Sequence, residues 1–267
     1  MSKIIDKKQL NENNFEFKIH APEIAKKAHP GQFIIIRLDE KGERVPMTIA
    51  DWDLDSITMV VTATGDTSKQ LSQMNVDDNI LDLAGPLGTP AVIKNYGTVV
   101  LIGGGSGTAA IHPEAKALKA AGNKVITIIG ARSKDLLIWE DKMKLATDEL
   151  ITITDDGSSG KKGLVTDALK EVMLREKIDL VIAIGPVIMM KFVSLTTLDK
   201  KIPTTVSLNP IMVDGIGMCG ACRVTVNDET KFACSDGPEF DGHAVDWDNL
   251  INRNTSFNHR CTCNDKQ

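Results

Sequence analysis

Thr98-Val99-Val100-Leu101-Ile102 is a continuous apolar run that ends in Gly103-Gly104-Gly105-Ser106-Gly107. A strand with no polar alternation has to be buried on both faces, and a parallel sheet covered by helices is the architecture that meets this condition. The same texture returns at Val125–Gly130, Leu150–Thr154 and Leu180–Gly185. Helical stretches are expected between these runs, at Ile111–Ala121, Trp139–Thr147 and Thr166–Arg175. This alternation predicts a parallel α/β nucleotide-binding domain over residues 97–205.

The flanking segments read differently. Phe15-Glu16-Phe17-Lys18-Ile19 alternates apolar and polar residues, as a half-buried strand does. Gln32–Leu38 follows a Pro30-Gly31 turn, and Ser56–Val61 and Asn79–Leu83 add two further strands. Short strands punctuated by Gly and Pro predict a small antiparallel β-barrel over residues 1–96. After Pro203 the pattern becomes short, Gly-rich and Cys-rich, which sets off a third module over residues 206–267. With 42% apolar residues among 267, the chain can bury a core without disulfides. A formal charge of −5 and no basic stripe argue against nucleic acid as a partner. The segment MSKIIDKKQL has no apolar core of signal-peptide length and no stretch would span a bilayer, so a cytoplasmic location is expected.

No cysteine precedes Cys219; Cys222, Cys234, Cys261 and Cys263 follow it. Thiols crowded at one end suit a metal or cluster module added to a cysteine-free body. Asp214-x4-Cys219-x2-Cys222-x11-Cys234 keeps the spacing of plant-type [2Fe–2S] loops, with Asp214 where the first thiolate stands. Gly215, Gly217 and Gly220 let backbone wrap an inorganic core, and a carboxylate oxygen can replace a thiolate as a harder donor. Asp214, Cys219, Cys222 and Cys234 are therefore the expected cluster ligands. A structural zinc site built from Cys219, Cys222, Cys261 and Cys263 is the alternative, though it leaves the Gly-rich spacing unexplained.

The glycine run with Thr108 lies after a buried strand and before a helix, where such a turn cradles phosphate. Asp155-Asp156-Gly157 follows the third apolar strand and Gly185-Pro186 the fourth. All three loops fall at carboxyl ends of strands, where α/β sheets bind ligands. Arg132 and Lys134, after the second strand, are the candidates for a 2′-phosphate.

These features resemble the ferredoxin–NADP⁺ reductase superfamily. Arg44-Val45-Pro46-Met47-Thr48 looks like its FAD motif, and Gly65-Asp66-Thr67-Ser68 like its second flavin loop. With the cysteine module, the match narrows to one branch. That branch holds the electron-transfer subunit of dihydroorotate dehydrogenase and the small subunit of ferredoxin:NADP⁺ transhydrogenase. Asp214 matches the transhydrogenase kind, since the other has Cys there. Ser106 departs from the Val or Ile usual in the family. Taken singly, Arg44 is a surface charge and Thr48 an ordinary strand residue; the linked pattern gives them roles. The resemblance implies that Arg44 pairs with the FAD pyrophosphate, that Thr48 hydrogen-bonds near the flavin and that Gly65, Thr67 and Ser68 hold phosphates or ribityl. It places the dinucleotide on the glycine run and Asp156. It also implies NAD(H) as donor or acceptor, FAD and a [2Fe–2S] cluster as cofactors, and a larger partner subunit with flavin and [4Fe–4S] clusters that serves ferredoxin. The expected role is an electron-transfer subunit of an electron-bifurcating complex. A dihydroorotate dehydrogenase subunit and a zinc-containing nucleotide-binding regulator are the alternatives.

Overall fold

The computed structural model describes residues 2–258, with side chains up to Thr255. Its N-terminal part comprises β1 (Ser2–Gln9), β2 (Asn14–His20), α1 (Pro22–Ala25), β3 (Phe33–Arg37), β4 (Val45–Thr48), β5 (Asp51–Trp52), β6 (Ser56–Thr62), α2 (Asp66–Gln73), β7 (Asn79–Ile80) and β8 (Asp82–Leu87). Two antiparallel sheets, ordered β5-β6-β2-β1-β7 and β4-β3-β8, enclose one apolar core. Phe17, Ile19, Ile34, Ile36 and Met59 alternate inward from three of these strands, as the sequence pattern requires.

The second part comprises β9 (Thr98–Gly104), α3 (Gly107–Ala120), β10 (Lys124–Ala131), α4 (Glu140–Ala146), β11 (Glu149–Thr154), β12 (Lys161–Lys162), α5 (Val165–Arg175), β13 (Leu180–Ile184), α6 (Val187–Leu198) and β14 (Thr204–Ser207). These strands are parallel, in the order β12-β11-β10-β9-β13-β14. Val99 and Leu101 enter the core on one face of the sheet, and Val100 and Ile102 the core on the other. The chain runs outward from β9 to β12, then returns to β13 on the opposite side of β9. That reversal makes β9 and β13 the switch point, where the loops leaving two neighbouring strands part and open a crevice.

The remainder forms a hairpin of β15 (Arg223–Val226) and β16 (Glu229–Phe232), then β17 (Glu239–Asp241) and α7 (Trp247–Asn258). Strand β17 pairs antiparallel with β14 at the sheet edge, so the sheet is mixed rather than purely parallel. Cys222, Cys234, Val224 and Leu250 share a core with Phe33 and Ile35 of the barrel and with the sheet.

Three expectations are corrected, and one strand is added within the barrel. Strand β1 was not expected, because SKIIDKKQ buries only Ile4. The single strand expected at Asn79–Leu83 is two, β7 and β8, in different sheets. Helix α3 starts at Gly107, four residues earlier than its apolar pattern suggests. Trp139 precedes α4 in the left-handed region, at φ 58°, instead of lying within the helix.

Candidate functional site

A cleft of about 1290 Å³ runs between the barrel and the carboxyl ends of the parallel strands. On the barrel side it is walled by Pro46, Met47 and Thr48 of β4 and by Gly65, Thr67 and Ser68 at the start of α2. Here Ser68 Oγ accepts the amides of Gly65 (2.9 Å) and Thr64 (3.0 Å), and Thr67 Oγ1 donates to Glu43 (3.2 Å). Across the cleft lie Gly104, Gly105, Ser106 and Gly107 at the start of α3, with Gly185 and Pro186 after β13. A Cβ on Gly107 would stand 2.0 Å from the Ile184 carbonyl oxygen, so only glycine lets β9 turn this tightly past β13. Gly105, at φ +57°, has open space where a side chain would start, so its backbone faces the cleft. Four helix N-termini, those of α2, α3, α5 and α6, therefore open on one cleft.

Other expected residues are placed differently. Gly103 and buried Thr108 pack behind the loop, where a Cβ on Gly103 would meet Thr108 at 2.8 Å. Asp155 lines the cleft together with Arg132. Asp156 Oδ1 instead accepts the amide and hydroxyl of Ser158 at 2.9 and 2.6 Å, and the Ser158 hydroxyl holds this carboxyl below the usual range. Gly157 sits in the same turn with φ +80°. Arg44 is half-buried and its Nε donates to the carbonyl of Val213 at 2.9 Å, immediately before Asp214.

The cysteine loop rests on the barrel. A Cβ on Gly215 would meet the side chains of Ile35 and Leu87 at 2.7 and 2.8 Å, and Met212 lines the cleft itself. Cys222 and Cys234 are buried with their sulfurs 3.2 Å apart, and the Gly217 amide donates to Cys234 Sγ at 3.1 Å. Burial, with the Cys222 thiol beside it, pushes the Cys234 thiol up to about 12. Asp214 accepts the amides of Ile216 (3.0 Å), Met218 (3.1 Å) and Cys219 (2.6 Å). Partial burial works against its charge, but these amide bonds outweigh it and hold the carboxyl below the usual range. Cys219 is exposed, and among the described residues no three His, Cys, Asp or Glu side chains converge as a metal site. The loop thus brings two thiols together and keeps Cys219 and Asp214 within one amide-lined turn. Two adjacent buried thiols with a backbone N–H aimed at sulfur suit an iron–sulfur core, whose iron would neutralise them as thiolates. Cys261 and Cys263, the rival zinc ligands, lie outside the described residues.

Sequence reasoning did not single out Met212, Met189 or Phe192, which line the cleft, because an apolar residue on a loop or helix carries no site signal. Glu43 carries a charge and still gave no signal, since a lone acid between turns reads as solvated surface.

Residues 209–246 match the family described as the iron–sulfur cluster binding domain of dihydroorotate dehydrogenase B. The chain is 52% identical to a dihydroorotate dehydrogenase B (NAD⁺) electron transfer subunit homolog of Thermotoga maritima, over 95% of this chain and 90% of that protein. It is 32% identical to the dihydroorotate dehydrogenase B (NAD⁺) electron transfer subunit of Caldanaerobacter subterraneus subsp. tengcongensis, over 87% of this chain and 90% of that one. A chain of the NADH-dependent reduced ferredoxin-NADP oxidoreductase structure, described for flavin-based electron bifurcation, superposes with a TM-score of 0.94. It is 49% identical and is matched over 97% of this chain and 95% of its own. Phthalate dioxygenase reductase shares the fold at 14% identity and a TM-score of 0.62.

Proposed function

This chain belongs to the family of dihydroorotate dehydrogenase B electron-transfer subunits and their homologues, and from that premise we propose that it passes electrons between NAD(H), FAD and a [2Fe–2S] cluster within an electron-bifurcating complex. When bound, FAD would supply the conversion of a hydride's electron pair into single electrons, and the cluster would supply a one-electron carrier beside it. The protein's part is to hold the two carriers close, oriented and away from water.

The observation that carries this reading is the seating of the cysteine loop on the cleft wall. Met212 lines the cleft, Gly215 lies against Ile35 and Leu87, and Arg44, just before β4, donates to the Val213 carbonyl. A flavin between Thr48 and the glycine loop would therefore lie beside the cluster ligands. Arg44, Pro46, Met47, Thr48, Gly65, Thr67 and Ser68 are proposed to hold FAD. The glycine loop from Gly103 to Thr108, the Asp155-Asp156-Gly157 turn and Gly185-Pro186 are proposed to hold NAD(H). Asp155 in the cleft favours a ribose hydroxyl over a 2′-phosphate, because a carboxylate accepts from the first and repels the second, whereas Arg132 in the same cleft is the group that would hold a 2′-phosphate.

As a subunit, the chain works with a larger partner, proposed to carry a second flavin and [4Fe–4S] clusters and to serve ferredoxin. Ile211, Val213, Ile216 and Met218 are exposed around the cysteine loop, an apolar surface suited to that partner. None of the helices among the described residues is long and apolar enough to cross a membrane.

The test is to purify the chain with its partner, measure FAD, iron and acid-labile sulfide, and mix it anaerobically with NADH or NADPH. NADH should bleach the flavin faster and produce the EPR signal of a reduced [2Fe–2S] centre. Zinc without sulfide, or preference for NADPH, would count against the reading. A partner that oxidises dihydroorotate would select the family's other activity.

A further inference from the structure

Glu114 on α3 is completely enclosed, and neither of its oxygens meets a donor among the described residues. Its polar neighbour is the carboxyl of Glu239 on β17, whose Oε1 is likewise buried without a donor. Two bare carboxylates cannot share such a place: each would cost desolvation, and their like charges would repel. One proton between them removes the repulsion and the larger desolvation cost, and the protonated carboxyl then donates to the one that stays charged. Burial first, then the Glu239 charge, drives the Glu114 carboxyl well above its ordinary range, so Glu114 is the member that keeps the proton.

The pair sits where all three parts of the chain meet. Glu114 lies one helical turn beyond Ala110, which lines the cleft. Gly31, at φ +81° in the turn before β3, also lines the cleft, and its missing side chain would lie 2.9 Å from Glu239 Oε1. A single glycine backbone therefore separates this carboxyl from the cleft. On its other side Glu239 opens on a pocket of about 250 Å³, lined also by Asp236, Asp241 and Tyr96. The Tyr96 hydroxyl is tied to the Val92 carbonyl at 2.9 Å, and Lys94 lies over its ring at 4.8 Å. No Lys, Arg or His lines that pocket among the described residues. A proton, rather than a cationic side chain, is what relieves the pair, and the member left charged can still take up one more.

We propose that Glu114 and Glu239 form a proton relay, which carries a proton between the redox cleft and solvent as electron pairs are split there. The proposal rests on the function proposed above. A hydride is a proton and two electrons. When the electrons leave singly through an iron–sulfur carrier, the proton remains in the cleft. Glu239 accepts it, leaving both carboxyls neutral, and the extra proton then leaves through the Tyr96 pocket, restoring the shared state. In the reverse direction, electrons that arrive without a proton draw one from Glu114, and water in the pocket refills it.

Time-resolved infrared spectroscopy tests this on the FAD- and cluster-loaded protein with its partner, photoreduced by a soluble donor dye that delivers electrons alone. Wild type should show a protonated-carboxyl C=O band at neutral pH, shifted in D2O. The band should be lost transiently on reduction and then recover. Glu114→Gln and Glu239→Gln should both abolish the transient and slow proton uptake, read with a pH indicator. Should the variants misfold, ¹³C-glutamate labelling of wild type assigns the band without substitution. No protonated glutamate at rest, or a band that stays unmoved while flavin and cluster are reduced, overturns the relay and leaves the electron-transfer reading intact. Protein without flavin removes that reading and the relay with it, and cofactor content distinguishes the two failures.

Discussion

The indole Nε1 of Trp139 donates a 2.7 Å hydrogen bond to Oε2 of Glu16, joining the entry of α4 to strand β2 of the barrel. Lys142 completes the joint, 3.1 Å from Oε1 of the same carboxylate and 3.7 Å over the indole ring. Trp139, Ile138, Ala109 and Ala50 form a small core that spans the two parts. Trp139→Phe keeps a ring under Lys142 but removes the donor from a mostly buried carboxylate. It should destabilise the joint by about 1.5–3 kcal/mol. Urea unfolding checks this, and a loss below about 0.5 kcal/mol would mean that water replaces the indole without cost.

His112 touches the same joint, with its ring 5.1 Å from that of Trp139 and its Nδ1 3.2 Å from the Ala50 carbonyl. Burial lowers its basicity below the ordinary 6.5, against the raising effects of the Ala50 carbonyl and Asp51. A base depressed in the folded state contributes stability that is fully present above its unfolded value and is lost as pH falls through the folded one. Stability should therefore decline on acidification below 6.5, and His112→Gln should flatten that part of the profile. Equal slopes in wild type and variant would remove His112 from the pH dependence.

The uninterrupted run into Gly103 made the central strand, its helix and the crevice legible, because no other packing accommodates a strand that is apolar on both faces. The Cys219–Cys222 spacing likewise announced a module that wraps an inorganic group. What stayed hidden depends on pairing between distant segments. Half the residues of strand β1 are charged, and it is held by its backbone pairing with β2 and β7. Strand β17 joins the sheet edge through three residues that carry no periodic signal. Glu114 reads as an ordinary exposed helix acid, and only the meeting of α3, β17 and the Gly31 turn encloses it. Asp155 and Asp156 are adjacent and alike in type, so only the turn around Ser158 decides which of them faces the cleft.

The glycine loop offers a paired test. Gly107→Ala would put a methyl group 2.0 Å from the Ile184 carbonyl oxygen, which the backbone cannot absorb. Gly105→Ala meets no atom within 4 Å, and its cost is the left-handed backbone, about 1–2 kcal/mol. Gly105→Ala should fold with weakened NADH binding, whereas Gly107→Ala should yield little folded protein. Circular dichroism and NADH titration separate the two, and equal behaviour would contradict the tight turn past β13.

Arg44 serves two neighbours, the Val213 carbonyl through Nε and the proposed FAD pyrophosphate through its remaining donors. Arg44→Ala should weaken FAD retention by about 1.5–3 kcal/mol, roughly ten- to hundred-fold. Arg44→Lys should recover only part of this, because a point charge cannot reach both partners. Flavin content after gel filtration reads the effect, and equal content in all three proteins would remove Arg44 from the site.

Asp214 is the proposed fourth cluster ligand, and its three amide bonds set a rival role, that of a carboxylate bracing the turn for Cys219, Cys222 and Cys234. The two roles separate on substitution. Asp214→Asn keeps an oxygen to accept the amides but removes the charge that binds iron well. Asp214→Cys restores an anionic ligand and gives up most of the amide bonding. If Asp214 ligates, Asp214→Cys should hold the full iron and sulfide content with an altered EPR spectrum and potential, because a thiolate replaces a harder oxygen donor. Asp214→Asn should then lose iron, and replacing Cys261 and Cys263 by Ser should change nothing. If Asp214 only braces the turn, Asp214→Asn keeps an unchanged cluster spectrum, and the tail serines lose it. The Cys219 amide at 2.6 Å fits either role, since a carboxylate has two oxygens and four lone-pair sites, enough to accept the loop amides and still donate to iron.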